Sequence, residues 1–166
     1  MPRMPKIKPG QYFSAPLLGG GYGYGYFTHV YENFIFFCDV FDRMGESPDL
    51  PADIDDSPLL ITDMAIGGEE FTLKPEEAEE FGGKWVLHKA PMREGAALHQ
   101  PLRIMGTKVV DLSEAAPDRP ATPAELESLG KLGHPFPPTT HNMIEVALRR
   151  IDVNPDDFYP KDFPKN

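Results

Sequence analysis

The sequence predicts a mainly β fold with a minority of helix: a strongly twisted antiparallel sheet, or a partly open barrel, with two or three short helices, the last two in the C-terminal third. Three observations carry this expectation. Phe34-Ile-Phe-Phe-Cys-Asp-Val-Phe41 is a short, unbroken apolar run, the pattern of a strand covered on both faces. Tyr22-Gly-Tyr-Gly-Tyr26 has a period of two, so in a strand its three rings share one face and the glycines leave the other bare. Glycine and proline punctuate the rest into segments of strand rather than helix length.

In chain order, Pro9-Gly10 signals a turn and the residues from Gln11 to Leu18 alternate as a first strand, broken by Gly19-Gly20-Gly21. The tyrosine–glycine strand follows, its glycines marking strong coiling or close backbone packing. The aromatic strand should be central. Pro48 to Pro58 reads as an acidic loop, and Leu59 to Ile66 as the next strand, closed by Gly67-Gly68. Pro75 to Phe81 has proline at its first position, acids in its first turn and Gly82 behind it, which predicts a short helix. Trp85 to His88 and Lys108 to Asp111 read as further strands, with Trp85 in the core. Beyond Ala115 prolines crowd the chain, and Thr122, Pro123 and Glu125 form a capping box that starts a helix running to about Leu132. Asn142 to Arg150 is a second helix with basic residues at its end, and the proline- and aromatic-bearing tail from Asn154 to Asn166 reads as an extended arm.

The 166 residues, 40% of them hydrophobic, supply one core, so one domain is expected over residues 1–166: a β core at 7–112 and a proline-rich, helix-containing extension at 113–166. No apolar run has the length of a membrane span or of a signal-peptide core. One cysteine, Cys38, makes no internal disulfide, so the cytoplasm is the expected compartment.

A formal charge of −10 is concentrated in two stretches. The first holds Asp39, Asp42, Glu46, Asp49, Asp53, Asp55 and Asp56 against Arg43; the second holds Glu69, Glu70, Glu76, Glu77, Glu79 and Glu80 against Lys74. Such surfaces repel phosphate backbones, which excludes nucleic acid as an expected partner, and they attract and steer a basic protein. The contact residues expected on this basis are Asp42, Glu46, Asp49, Asp53, Asp55, Asp56, Glu69, Glu70, Glu76 and Glu77, with the rings of Tyr22, Tyr24 and Tyr26 either adding to the contact or filling the core.

Motifs for catalysis are missing. Neither dinucleotide nor P-loop spacing fits Gly19 to Gly25. Cys38 lies in the most apolar run, where a cysteine behaves as a small hydrophobe. His29, His88, His99, His134 and His141 lack the local spacings that assemble metal ligands, so no catalytic residue, metal or cofactor is expected.

Ile7-Lys-Pro-Gly-Gln-Tyr-Phe-Ser-Ala-Pro-Leu17, then Gly21-Tyr-Gly-Tyr-Gly25, then the aromatic strand ending Cys38-Asp39-Val40, resembles the immunity protein 26 family of bacterial polymorphic-toxin systems. Gln11 stands where that family often has aspartate, and Gly83-Lys-Trp85-Val is similar to its tryptophan-bearing strand, so the resemblance extends over residues 7–112. It implies a non-enzymatic, cytoplasmic antidote that binds a cognate toxin, one delivered by neighbouring cells or made by the producer. The charge pattern adds that the toxin is basic, a nuclease being the kind whose field an acidic surface would exploit. The alternative expectation is a non-catalytic β binding module or regulatory subunit.

Overall fold

The tyrosine–glycine alternation and the continuous aromatic run each form a strand. In the computed structural model, which describes residues 5–80, 82–134 and 137–152, the first sheet contains β1 (Gln11–Pro16), β2 (Tyr22–Tyr31), β3 (Ile35–Gly45), β4 (Leu59–Ile66) and β5 (Val86–Met92). Their order is β4-β3-β2-β1-β5 and every pair is antiparallel. The sheet is twisted and open, with register shifts in β2 at Gly23/Gly25 and Phe27/His29 and in β3 at Cys38/Val40. Such bulges sharpen twist. A second sheet of β6 (Leu102–Met105), β7 (Lys108–Asp111) and β8 (Arg119–Pro120) is ordered β6-β7-β8. Among the described residues three short α-helices accompany the sheets: α1 (Pro75–Glu80), α2 (Pro123–Ser128) and α3 (Pro137–Leu148).

The centre of the first sheet, β1 to β3, is buried on both faces, which is why β3 reads as a continuous apolar run. On one face Phe13, Ala15, Phe27, Phe36, Cys38, Val40, Met64 and Ile66 pack with Trp85 and with Ile144 and Leu148 of α3. The other face carries Tyr12, Tyr24, Tyr26 and Phe41 beneath Ile54, and Ile35 and Phe37 against Val110 and Leu112 of the second sheet's end. The C-terminal extension thus contributes to the same apolar clusters as the strands.

Gly23 and Gly25 do leave a bare face, and neighbours fill it. A Cβ on Gly23 would lie 2.9 Å from Leu148 Cδ1, and one on Gly25 would lie 2.4 Å from Phe13 Cζ. The Phe13 ring stacks on Trp85 at 4.8 Å between centroids, so Trp85, 3% exposed, is core as expected, although it precedes β5 rather than starting it.

Four boundaries differ from expectation. Phe34 lies outside β3, half-exposed behind a turn in which Glu32 and Asn33 take left-handed backbone. The capping box at Thr122 and Glu125 forms, but α2 stops at Ser128 because the following chain pairs with β6: Ile104 N donates to Gly130 O and Leu132 N to Ile104 O. Tertiary pairing overrides helix propensity there. Helix α3 begins at Pro137, five residues before the expected start, since prolines suit a first turn whose amides lack intrahelical acceptors. It ends at Leu148, leaving Arg149 and Arg150 beyond it, where Arg149 Nε donates to Glu145 Oε2 at 2.9 Å and Arg150 reaches Asp42. The expected arm at 154–166 and the end of the first helix at Phe81 lie outside the described residues.

Cys38 is fully buried and its Sγ donates to the Met64 carbonyl at 3.4 Å. Burial pushes its thiol well above the ordinary value, with Asp39 adding to the effect. Iodoacetamide should therefore leave Cys38 unmodified in native protein and alkylate it within minutes in denaturant. Mass spectrometry under both conditions checks this, and rapid native labelling would contradict the burial.

Candidate functional site

The tyrosine-bearing face of the sheet holds a polar cluster built around Asp39. Alternation along β3 puts Asp39 on the same face as Phe37 and Phe41, and it is 0% exposed. Three neighbours meet its carboxyl group. Tyr26 Oη donates to Oδ2 at 2.7 Å, His99 Nε2 lies 2.8 Å from the same oxygen, and the amide of Asp63 donates to Oδ1 at 2.9 Å. Buried carboxylates need such partners, and hydrogen bonds to charged groups are the stronger kind.

Asp63 is placed by an interruption in β4. It has φ of 54°, in the left-handed region, where the β3–β4 register shifts between Cys38 and Val40. That turn aims its carboxylate outward along the chain crossing from β5 to β6. Oδ1 accepts from the His99 amide at 3.0 Å, Oδ2 accepts from the Gln100 amide at 2.7 Å, and Arg103 Nη2 stands 3.6 Å from Oδ2. The same crossing is tied further along by Arg93, whose Nη1 reaches Asp55 Oδ1 and whose guanidinium carbon sits 4.3 Å from the Tyr26 ring centroid. Tyr12 Oη donates to that Asp55 oxygen at 2.6 Å.

These contacts set the ionisation. Burial, then the bond to Asp39, drives the Tyr26 hydroxyl far above its ordinary value, and burial with Asp55 raises Tyr12. Both phenols therefore act as hydrogen-bond donors and not as bases. The bond to Asp39 raises His99, with partial burial pulling the other way. One ligand atom from each of Asp39, Asp63 and His99 lies within 4.8 Å of the other two, so among the described residues these three side chains are the group that could hold a metal ion.

A second pair looks catalytic and is not arranged for it. Ser14 Oγ lies 2.8 Å from His88 Nε2, but it donates its proton to the Pro48 carbonyl at 2.6 Å. A carbonyl can only accept, so Nε2 must carry its own proton toward Ser14 and cannot take the serine's. Ser14 is also 0% exposed.

Of the acids expected to contact a partner, Asp42, Asp53 and Asp55 are each ion-paired to an arginine, respectively Arg150, Arg43 and Arg93. Glu46, Asp49, Asp56, Glu76 and Glu77 are exposed and enter no ion pair among the described residues. Glu70 must be removed from the expected surface: it is 0% exposed, because the short 3-10 turn Glu69–Phe71 points it inward while Phe71 packs against Phe27 and Trp85. Glu69 is half-buried, with Oε2 out of contact with solvent. Tyr24 and Tyr26 are core, Tyr24 donating to the Ser47 carbonyl, which leaves Tyr22 alone partly exposed.

The end of β3 and the end of α1 meet on either side of the Gly19–Gly21 turn. Tyr22 pairs with Gly45, the Gly21 backbone abuts Gly45 O, and Gly82, just after α1, abuts the Leu17 backbone. Glu46 thus lies beside the Gly19–Gly21 turn, with the end of α1 on that turn's other flank. Sequence reasoning missed the Asp39–Asp63–His99 assembly, whose members are 24 and 60 residues from Asp39 along the chain. No protein-family model matches this chain, and neither a curated protein nor a solved structure does.

Proposed function

We propose that this chain is a non-catalytic immunity protein that binds a basic bacterial toxin and neutralises it with the acidic end of its sheet. One observation carries the reading. After arginines have taken Asp42, Asp53 and Asp55, the carboxylates of Glu46, Asp49, Asp56, Glu76 and Glu77 remain exposed and, among the described residues, without ion pairs. Uncompensated charge of one sign raises the encounter rate with a partner of the other sign. The partly exposed ring of Tyr22 borders this end through its pairing with Gly45 and is the aromatic contact that goes with it. The resemblance of residues 7–112 to the immunity family supplies the kind of partner.

The test is protection. The product of the gene immediately upstream is expressed in a susceptible host with and without this protein, and a complex is sought by co-purification. Rescue with a complex supports the reading; toxicity with neither rescue nor binding removes it. With the toxin in hand, Glu46→Lys/Asp49→Lys/Asp56→Lys should slow association by about 10-fold or more at low salt while the melting temperature stays within a few degrees, because all three side chains are exposed. Stopped-flow association at two ionic strengths checks this. An unchanged rate would take this end of the sheet out of the interface.

A further inference from the structure

We propose that Asp39, Asp63 and His99 form a binding site for a first-row divalent cation such as Zn2+, which fastens the crossing between β5 and β6 to the sheet. The three ligand atoms lie within 4.8 Å of one another. His99 Nε2 and Asp39 Oδ2 are 2.8 Å apart, so an opening of about half an ångström gives the roughly 3.4 Å between tetrahedral ligands that each stand about 2.1 Å from one metal.

The carboxylates are already held for this purpose by a surrounding shell. Tyr26 Oη and the Asp63 amide fix Asp39, and the amides of His99 and Gln100 fix Asp63, with Arg103 3.6 Å from its outer oxygen. Ligating carboxylates are characteristically hydrogen-bonded in this way by outer groups. Capacity remains: a carboxylate oxygen accepts two hydrogen bonds, and Asp39 Oδ1 and Asp63 Oδ1 each take one from the described donors.

The donor set decides the class of ion. One imidazole nitrogen and two carboxylate oxygens suit zinc, nickel, cobalt or manganese, whereas calcium prefers oxygen alone and more ligands. His99 is the entry side, its side chain 47% exposed while that of Asp39 is 0%. On binding, Nε2 releases its proton to solvent and offers the lone pair, and water fills the positions facing outward. A cation there bridges β3, β4 and the crossing segment, adding to the hydrogen bonds, the Arg93–Asp55 ion pair and the packing of Ala96 and Leu98 that already tie the crossing down.

Zinc chloride titrated into the full-length protein by calorimetry at pH 7.5 should show one ion per chain, and a molar excess should raise the melting temperature. His99→Gln keeps an amide donor toward Asp39 but lacks the imidazole lone pair, so it should fold, weaken zinc at least 10-fold and abolish the thermal shift. Asp63→Asn should weaken zinc likewise, and His88→Ala should leave it unchanged. Absence of binding in the native protein, or equal affinity in His99→Gln, overturns the proposal.

Discussion

Replacing Gly25 with alanine is expected to cost about 3 kcal/mol or more, from a single added methyl group. The methyl would lie 2.3 Å from the Asp39 carbonyl oxygen, 2.4 Å from Phe13 Cζ and 2.7 Å from Phe13 Cε1. Two of the three obstacles are one ring that cannot retreat, since Phe13 stacks on Trp85 at 4.8 Å and leans on Phe27 at 5.1 Å. The third is backbone of β3, whose displacement would disturb the pairing that presents Asp39 to Tyr26. The cost is one of volume, because Gly25 does not have a positive φ.

Gly20→Ala separates the two effects. That glycine has φ of 101° with nothing within 4 Å of an added Cβ, so alanine there meets only the conformational penalty, about 1 kcal/mol. Urea denaturation of both variants should place Gly25→Ala at least twice as far below the native protein. Adding Phe13→Leu to Gly25→Ala should recover part of the loss by making room. Equal costs for the two glycines would mean that the sheet yields at Gly25 and that the close approach has no energetic weight.

Where the sequence was legible, local chemistry and global packing agreed. The tyrosine–glycine alternation, the aromatic run and the Thr122–Glu125 capping box each specify their own geometry within a few residues, and each forms. The hairpin β6–β7 shows the limit: Leu102–Met105 has four residues and no strict alternation, and it becomes a strand because β7 and the Gly130–Leu132 segment flank it. The polar cluster was hidden for a related reason. Nothing near Asp39 in the chain marks it as the acceptor of Tyr26, Asp63 and His99, whose approach depends on a break in β4 and on a long crossing. Counting acids was equally blind to pairing. Asp42, Asp53 and Asp55 looked like free surface charge until arginines 108, 10 and 38 residues away closed on them. Glu70 looked like one more member of an acidic run, and only the inward turn after Gly68 reveals it as core.

That burial makes Glu70 an expected source of pH-dependent stability. Among the described residues neither carboxyl oxygen closes a hydrogen bond of good geometry. Burial raises its pKa to about 7; the charge of Glu69 adds to the rise, while its own amide, Thr140 and the Gly68 backbone oppose it. Unfolded, the same group titrates near 4.5. Between these values the native state keeps a proton that the unfolded chain has lost, so unfolding releases a proton and stability falls as pH rises. The loss begins above the unfolded value and is complete above about pH 7, where it amounts to about 3 kcal/mol. Glu70→Gln keeps the shape and removes the titration. It should match the native protein near pH 5 and exceed it by about 2 to 3 kcal/mol at pH 8. His29 and His88, whose pKa values are lowered by burial, tilt both curves the opposite way, toward greater stability with rising pH, and cancel in the difference. Urea melts of the two proteins at both pH values measure that difference directly. A gap of the same size at pH 5 and pH 8 would mean that Glu70 ionises freely and that its pocket admits water.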